Sequence, residues 1–337
     1  MLEDLLKKYV EEQRIPGIAV AYVTGNRNYF VSAGYDGYAP YVDPKPVTRK
    51  TLYDMASCTK VVATTTMILK LIEEGAFTLK TEVKDILPEF PHEGVNIYHL
   101  LTHTSGLPAD DKKYKECRSA KEMWQFTLSQ PLVYETGSKV EYSDFGYIIL
   151  GKIIEHFKGD LEEYAKEVIF DPLGMTATCY NPCFKGLSDQ CAAAEVTSER
   201  GVIRGIAHDG KANKLNGLSG NAGLFSNTED LCKFVRMMLN DGAPVLKKET
   251  VDLLKRSFTG NLNLRRTLGW FFNDPSTPVY GSCSNCSIFH TGFSGTSILI
   301  DFEKKCGVII LTNRVHPTRD NDITDIRREI HEYLLKD

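Results

Sequence analysis

The strongest constraint in this sequence is that its strand-like segments sit at opposite ends of the chain. Residues 18–23 and 29–33 are apolar, β-branched or aromatic runs separated by a turn around Gly25-Asn26. Residues 296–301 and 307–312 form a second pair across the charged turn Glu303-Lys304-Lys305. An isolated hairpin is only marginally stable in water, so each half-sheet needs the other. The economical solution is one antiparallel sheet made from both termini. Amphipathic helices flank it: residues 2–13, with Leu2, Leu5, Leu6 and Val10 on one face, and residues 322–335.

Between the ends, residues 61–74, 120–129, 147–157, 162–170 and 228–240 have helical periodicity, the first stopped by Gly75. The expected fold class is therefore mixed α/β (α+β). Residues 1–55 and 225–337 form an α/β lobe, residues 56–224 a mainly helical lobe, and the cleft between them is the natural place for a site. No internal repeat, low-complexity tract or long linker separates them, so the two lobes count as one domain.

Charge narrows the partners. The 337 residues carry 40 Lys and Arg against 44 Asp and Glu, a formal charge of -4. No excess of positive charge exists to neutralise a phosphate backbone or an anionic membrane, so nucleic acid is not an expected partner. The N-terminal MLEDLLKKYVEEQRIPG is charged every few residues and lacks the apolar stretch of a signal peptide. No run approaches the roughly 20 apolar residues of a membrane span. A cytoplasmic protein is the expectation, unless a leader precedes the sequence. Its nine cysteines then read mostly as buried free thiols. Cys283-Ser284-Asn285-Cys286 has metal-ligand spacing, but a zinc site needs four ligands and no second such pair exists. The sequon Asn285-Cys286-Ser287 carries weight only with a secretory signal.

Three short motifs can carry chemistry. Ser57-Cys58-Thr59-Lys60 opens a helix, and a spacing of three puts Ser57 and Lys60 on one face. A serine needs a neighbouring base to become a nucleophile, and a helix N-terminus favours a developing oxyanion. Taken alone, Ser57 is equally explained as a helix cap. Tyr142-Ser143-Asp144 precedes the helix at 147–157, and His290-Thr291-Gly292 opens the glycine-rich strand Gly292-Phe293-Ser294-Gly295-Thr296. Each also has a plain structural explanation: a half-buried aromatic, a cap, a strand-end histidine.

In this order the motifs resemble the serine β-lactamase and penicillin-binding-protein superfamily, whose pattern is a helix-opening SxxK, then Y-x-N or Y-S-D, then K-T-G or H-x-G on a strand. The similarity is greatest to its class C-like branch of esterases and D-peptidases. Ile15-Pro16-Gly17-Ile18-Ala19-Val20, the run from His99 to Leu107, and Asn221-Ala222-Gly223-Leu224-Phe225-Ser226 add to it. The resemblance implies a β-lactamase/transpeptidase-like fold, a metal-independent acyl-enzyme mechanism without cofactor, and a small-molecule or short-peptide substrate. It implies nothing about oligomeric state. It makes Ser57 the acylated nucleophile, Lys60 its proton-handling neighbour and Tyr142 the general base. The backbone N–H groups of Ser57 and Phe293 would form the oxyanion hole, with Asp144, His290, Gly292 and His208 around the substrate. A free tyrosine titrates near about 10, so Tyr142 needs cations beside it: Lys60, and His290 if protonated. His103, within the 99–107 phrase, reads as structural.

Two departures bear on substrate. His290 stands where β-lactamases and most transpeptidases carry lysine, and Asp144 where many carry asparagine. Both make the cleft less favourable for a carboxylate-bearing substrate. The expectation is a hydrolase of small esters or of D-amino-acid amides and peptides. A β-lactamase or D-alanyl-D-alanine carboxypeptidase is the alternative, and a non-catalytic sensor of penicillin or muropeptides the lower one.

Overall fold

A computed structural model describes residues 1–25, 27–273 and 282–336. The turn at Gly25-Asn26 falls partly on Asn26, outside the described residues. Six strands build the main sheet: β1 (Gly17–Thr24), β2 (Arg27–Gly34), β3 (Phe271–Phe272), β4 (Ser287–Thr291), β5 (Ser297–Asp301) and β6 (Cys306–Thr312). Their order is β2-β1-β6-β5-β4-β3, with every pairing antiparallel. The termini meet at β1 and β6, from Ile18 opposite Thr312 to Thr24 opposite Cys306, as the two orphan hairpins require.

The helices that matter here are α1 (Leu2–Glu11), α2 (Thr65–Glu73), α3 (Asp144–Lys158), α4 (Thr228–Leu239) and α5 (Thr324–Leu335). Strand alternation divides the core in two. Ile18, Val20, Leu299, Val308 and Ile310 pack with Leu6 and Tyr9 of α1 and Ile326 and Ile330 of α5. Ala19, Ala21, Val23, Ile298, Ile309 and Leu311 face the larger core, which includes Leu231, Phe234 and Val235 of α4 and the helical middle. On α1 the deeply buried stripe is Leu2, Leu6 and Tyr9, with Leu5 and Val10 only partly buried. Spacings of four and three fit the helical period better than the expected set.

The middle is less uniformly helical than its periodicity predicts. Tyr53–Asp54, Leu224–Ser226 and Cys179–Tyr180 form a three-stranded patch, with Tyr53 opposite Ser226 and Asp54 opposite Phe225. The chain thus enters and leaves the helical middle side by side. His290 lies near the end of β4 rather than opening a strand, and residues 292–296 turn into β5. All nine cysteines are free thiols. Among the described residues no helix is long and apolar enough to cross a membrane.

Candidate active site

Ser57 follows directly from the three-stranded patch. It sits in a 3-10 turn, Ala56–Cys58, continued by a single π-type turn, Lys60–Thr64, and then by α2. The sequence predicts one regular helix here; such widened turns occur mostly at functional positions. Met55 occupies the cap of the 3-10 turn and Thr64 that of α2, so capping does not account for Ser57. Ala56 has φ +45°, uncommon for a residue with a Cβ. Asp54 fixes it: Oδ1 accepts the Ala56 N–H at 2.7 Å, and Oδ2 accepts the His208 N–H at 2.7 Å.

Lys60 is fully buried, and its ammonium has three acceptors for three protons. Nζ donates to Ser57 Oγ at 3.0 Å, Asp144 Oδ1 at 2.8 Å and the Asn221 carbonyl at 2.9 Å. Burial disfavours its charge, but Asp144 and Tyr142 outweigh burial and hold it above the ordinary lysine range. Asn221 reaches Lys60 because its loop touches α3 backbone to backbone. A Cβ on Gly220 would lie 2.1 Å from the Tyr147 carbonyl, and one on Gly151 2.8 Å from the Gly220 nitrogen.

Asp144, expected to face substrate, has both oxygens engaged by lysines. Oδ1 meets Lys60, and Oδ2 accepts from Lys211 Nζ at 3.1 Å. Burial would raise its pKa, but the two cations hold it at about 2.

Tyr142 is clamped by its ring. His103 stacks on it with centroids 4.5 Å apart, and Lys60 Nζ lies 4.9 Å from the ring centre. The His103 ring is set in turn by its Nδ1, which accepts the Ser143 N–H at 3.1 Å. The Tyr142 hydroxyl is buried beside Lys60 and Ser57, near enough for both to act on it though not in full hydrogen-bond geometry. Burial pushes its pKa up, while Lys60 and Ser57 pull towards the phenolate.

His290 does not supply the second cation. Its Nδ1–H donates to the Thr291 carbonyl at 2.9 Å. Complete burial, and then the nearby charges of Arg266 and Lys60, hold its pKa well below the usual histidine value, so it is neutral at pH 7. The permanent charge on this side is Arg266, which sequence reasoning missed. Its Cζ stands 3.7 Å from the Phe271 ring centre and 5.6 Å from that of Tyr142. It is fully buried, and no acceptor among the described residues meets its guanidinium.

The turn after β4 is stitched to the Ser57 segment. Thr296 Oγ1 donates to the Met55 carbonyl at 3.0 Å and Ser294 Oγ to the Asp54 carbonyl at 2.6 Å. Gly292 is required, since a Cβ there would lie 2.2 Å from Thr296 Oγ1 and 2.4 Å from the Met55 carbonyl. Phe293 is thereby brought to the same cleft as Ser57. That cleft, about 640 Å³, is lined by Ser57, Tyr142, Asp144, His208, Lys211 and Phe293 among others. His208 stacks on Phe293 with centroids 5.8 Å apart, and its Nε2 lies 2.8 Å from Glu195 Oε2.

Ser57, Tyr142, Asp144, His208 and Phe293 therefore converge on one cleft, with Lys60, His290 and Gly292 behind its wall. A hydroxyl, an ammonium and a phenol in contact can perform acyl transfer with proton shuttling. Besides Arg266, the sequence reading missed Lys211 and the roles of Asp54 and Asn221. Asn221 opens the 221–226 phrase, and Lys211 had a signal of its own: an aspartate in place of asparagine at 144 needs a counter-charge, and Lys211 follows the singled-out His208-Asp209.

Comparison with known proteins shows the family and the fold. A "Putative D-alanyl-D-alanine carboxypeptidase" of Escherichia coli (strain K12) is 34% identical over 321 residues, covering 84% of this chain and 73% of its own length. The octameric penicillin-binding protein homologue from Pyrococcus abyssi superposes with a TM-score of 0.75 at 25% identity, over 93% of this chain and 72% of that one. EstCE1, a hydrolase with promiscuous acyltransferase activity, superposes with a TM-score of 0.80 at 20% identity, over 98% and 97% of the two chains, a likeness of fold. The Beta-lactamase family model matches residues 2–332, and the chain belongs to that family of serine hydrolases.

Proposed function

We propose that this enzyme hydrolyses small esters, or D-amino-acid amides and short peptides, through an acyl-enzyme on Ser57. The observation that carries the reading is the distribution of protons around Lys60. All three of its N–H bonds are taken, one by Ser57 Oγ, while the buried Tyr142 hydroxyl lies beside Lys60 and Ser57 with its own acceptor site not filled in full hydrogen-bond geometry. Lys60 then acts as the fixed cation and Tyr142, as phenolate, takes the Ser57 proton. Ser57 Oγ attacks the carbonyl carbon, and the oxyanion is received by the N–H groups of Ser57 and Phe293. The Tyr142 hydroxyl protonates the leaving group as its bond to carbon breaks. Water then repeats the sequence on the acyl-enzyme, giving its proton to Tyr142 and releasing the acid.

A neutral His290 stands where β-lactamases carry a lysine for the substrate carboxylate, which favours esters and amides. The second reading is a D-alanyl-D-alanine carboxypeptidase, favoured by the name of the 34% identical E. coli relative; a class C-like β-lactamase stands behind it. A fluorophosphonate should label Ser57, and S57A should abolish turnover. Labelling elsewhere with S57A still active sinks the proposal. The kcat/KM values for p-nitrophenyl acetate, a D-Ala-D-Ala peptide and nitrocefin decide between substrates, and a higher value on either of the last two reverses this preference.

A further inference from the structure

Lys211 is a buried lysine that the acyl-transfer steps leave unused. Its side chain is only 6% exposed, with Nζ 2.7 Å from Asp110 Oδ1 and 3.1 Å from Asp144 Oδ2. It lies on a short helical turn, Gly210–Lys214, whose preceding Asp209 accepts the Ala212 N–H at 2.8 Å. Asn221 Nδ2 donates to the same Asp209 at 3.1 Å, so this turn is tied to the loop that contacts Lys60. Gly210 permits the approach, because a Cβ there would lie 2.4 Å from the Tyr114 hydroxyl.

We infer that Lys211 is a positioning residue for the acyl-transfer reaction: by occupying one oxygen of Asp144 it limits Lys60 to the other, and so sets how easily the Ser57–Lys60–Tyr142 group releases and accepts protons. This rests on the proposed roles of those three residues. The charges are counted easily. Lys60 and Lys211 are cations; Asp144 and Asp110 are anions, so the cluster is neutral as built. An asparagine at position 144 would need no counter-cation, whereas an aspartate bound to Lys60 alone would give its whole charge to that ammonium. Two cations sharing one carboxylate repel one another through it, and deleting one strengthens the grip on the other.

The groups facing Lys211 are Asp144 at the start of α3, Asp110 and the Tyr114 ring (4.9 Å from Nζ) on the neighbouring wall, and Asp209 on its own turn. Those facing Lys60 are Ser57, Tyr142, Asp144 and Tyr147, with His103, His290 and Arg266 behind them. Removing a positive charge from this set raises the pKa of Lys60 and of Tyr142 alike. The sign of the effect is therefore the same whichever of the pair takes the Ser57 proton.

The test is the pH dependence of fluorophosphonate labelling between pH 5 and 10, with the adduct mapped by mass spectrometry. In K211M the whole rising limb should move up by about one pH unit, so that labelling is about tenfold slower at each pH. K211R, which keeps the charge, should restore the wild-type rates. In a D144N background, adding K211M should change the rate less than twofold, because the carboxylate through which Lys211 acts is gone. This second comparison serves alone if K211M by itself fails to fold. An unchanged rising limb in K211M, or an equal slowing in the D144N background, overturns the inference while leaving Ser57 as nucleophile. Absence of an adduct on Ser57 in the wild type overturns the parent reading and this one with it.

Discussion

Replacing Arg266 by methionine should make the protein more stable and less active. Burial holds the Arg266 guanidinium at about 10 against an ordinary 12.5. At roughly 1.36 kcal/mol per pH unit, that difference is a burial cost of about 3 kcal/mol. Its contact with the Phe271 ring returns about 2 kcal/mol, the upper range for a desolvated cation over an aromatic face. Methionine fills similar space without a charge, so R266M should gain about 1 kcal/mol, a rise in Tm of roughly 1–2 °C. The sign follows from linkage. Arg266 has a depressed folded pKa, so its cost is present in full below pH 10 and fades as pH rises towards 12.5. The Tm gain should accordingly be constant from pH 6 to 9 and shrink above pH 10. Activity moves the other way. With Cζ 5.6 Å from the Tyr142 ring centre, this charge is worth up to about 3 kcal/mol to a phenolate at an effective dielectric of about 20, so kcat/KM on p-nitrophenyl acetate at pH 7 should fall by up to about a hundredfold. R266K should keep part of the activity. Thermal melts across pH, read beside ester turnover, decide the matter. A lower Tm in R266M would show that the guanidinium has a stabilising partner, and unchanged turnover would show that Tyr142 does not depend on it.

Gly292→Ala should lower kcat/KM by about 10² or more with little change in overall fold. Its Cβ must displace Met55 or Thr296, which shifts the Phe293 amide relative to Ser57; wild-type turnover with a folded G292A would refute the packing argument. Tyr142 and Lys60 both stand above their ordinary pKa values, so the resting enzyme at pH 7 holds phenol and ammonium. The free-enzyme kcat/KM should therefore climb with pH through the neutral range, about tenfold per unit, with no inflection from the neutral His290. A plateau from pH 6 to 8 would contradict that protonation state.

Much of the fold is legible in the chain because local pattern and global need coincide. Short apolar runs at both ends demand each other as sheet partners, and the helical stripes of α1, α4 and α5 each need one face covered. The π-type turn after Ser57 is not legible, since residues 61–74 carry an unbroken helical period. It arises where Lys60 must meet Ser57, Asp144 and the Asn221 carbonyl at once. The short patch through Tyr53–Asp54 and Leu224–Ser226 is hidden for another reason: two- and three-residue strands are too brief to show alternation.

By itself the sequence determined that a serine, a lysine and a tyrosine stand in a motif order resembling that of the β-lactamase family, because residue type and motif order are written directly in the chain. Burial and long-range pairing are not, and they decided which of these groups carry charge. His290 is neutral because 290 lies inside the wall beside Arg266, and Asp144 is shared because a turn 67 residues later brings Lys211 to its second oxygen. Protonation depends on dielectric and on neighbours in space, and those exist only once the chain has folded.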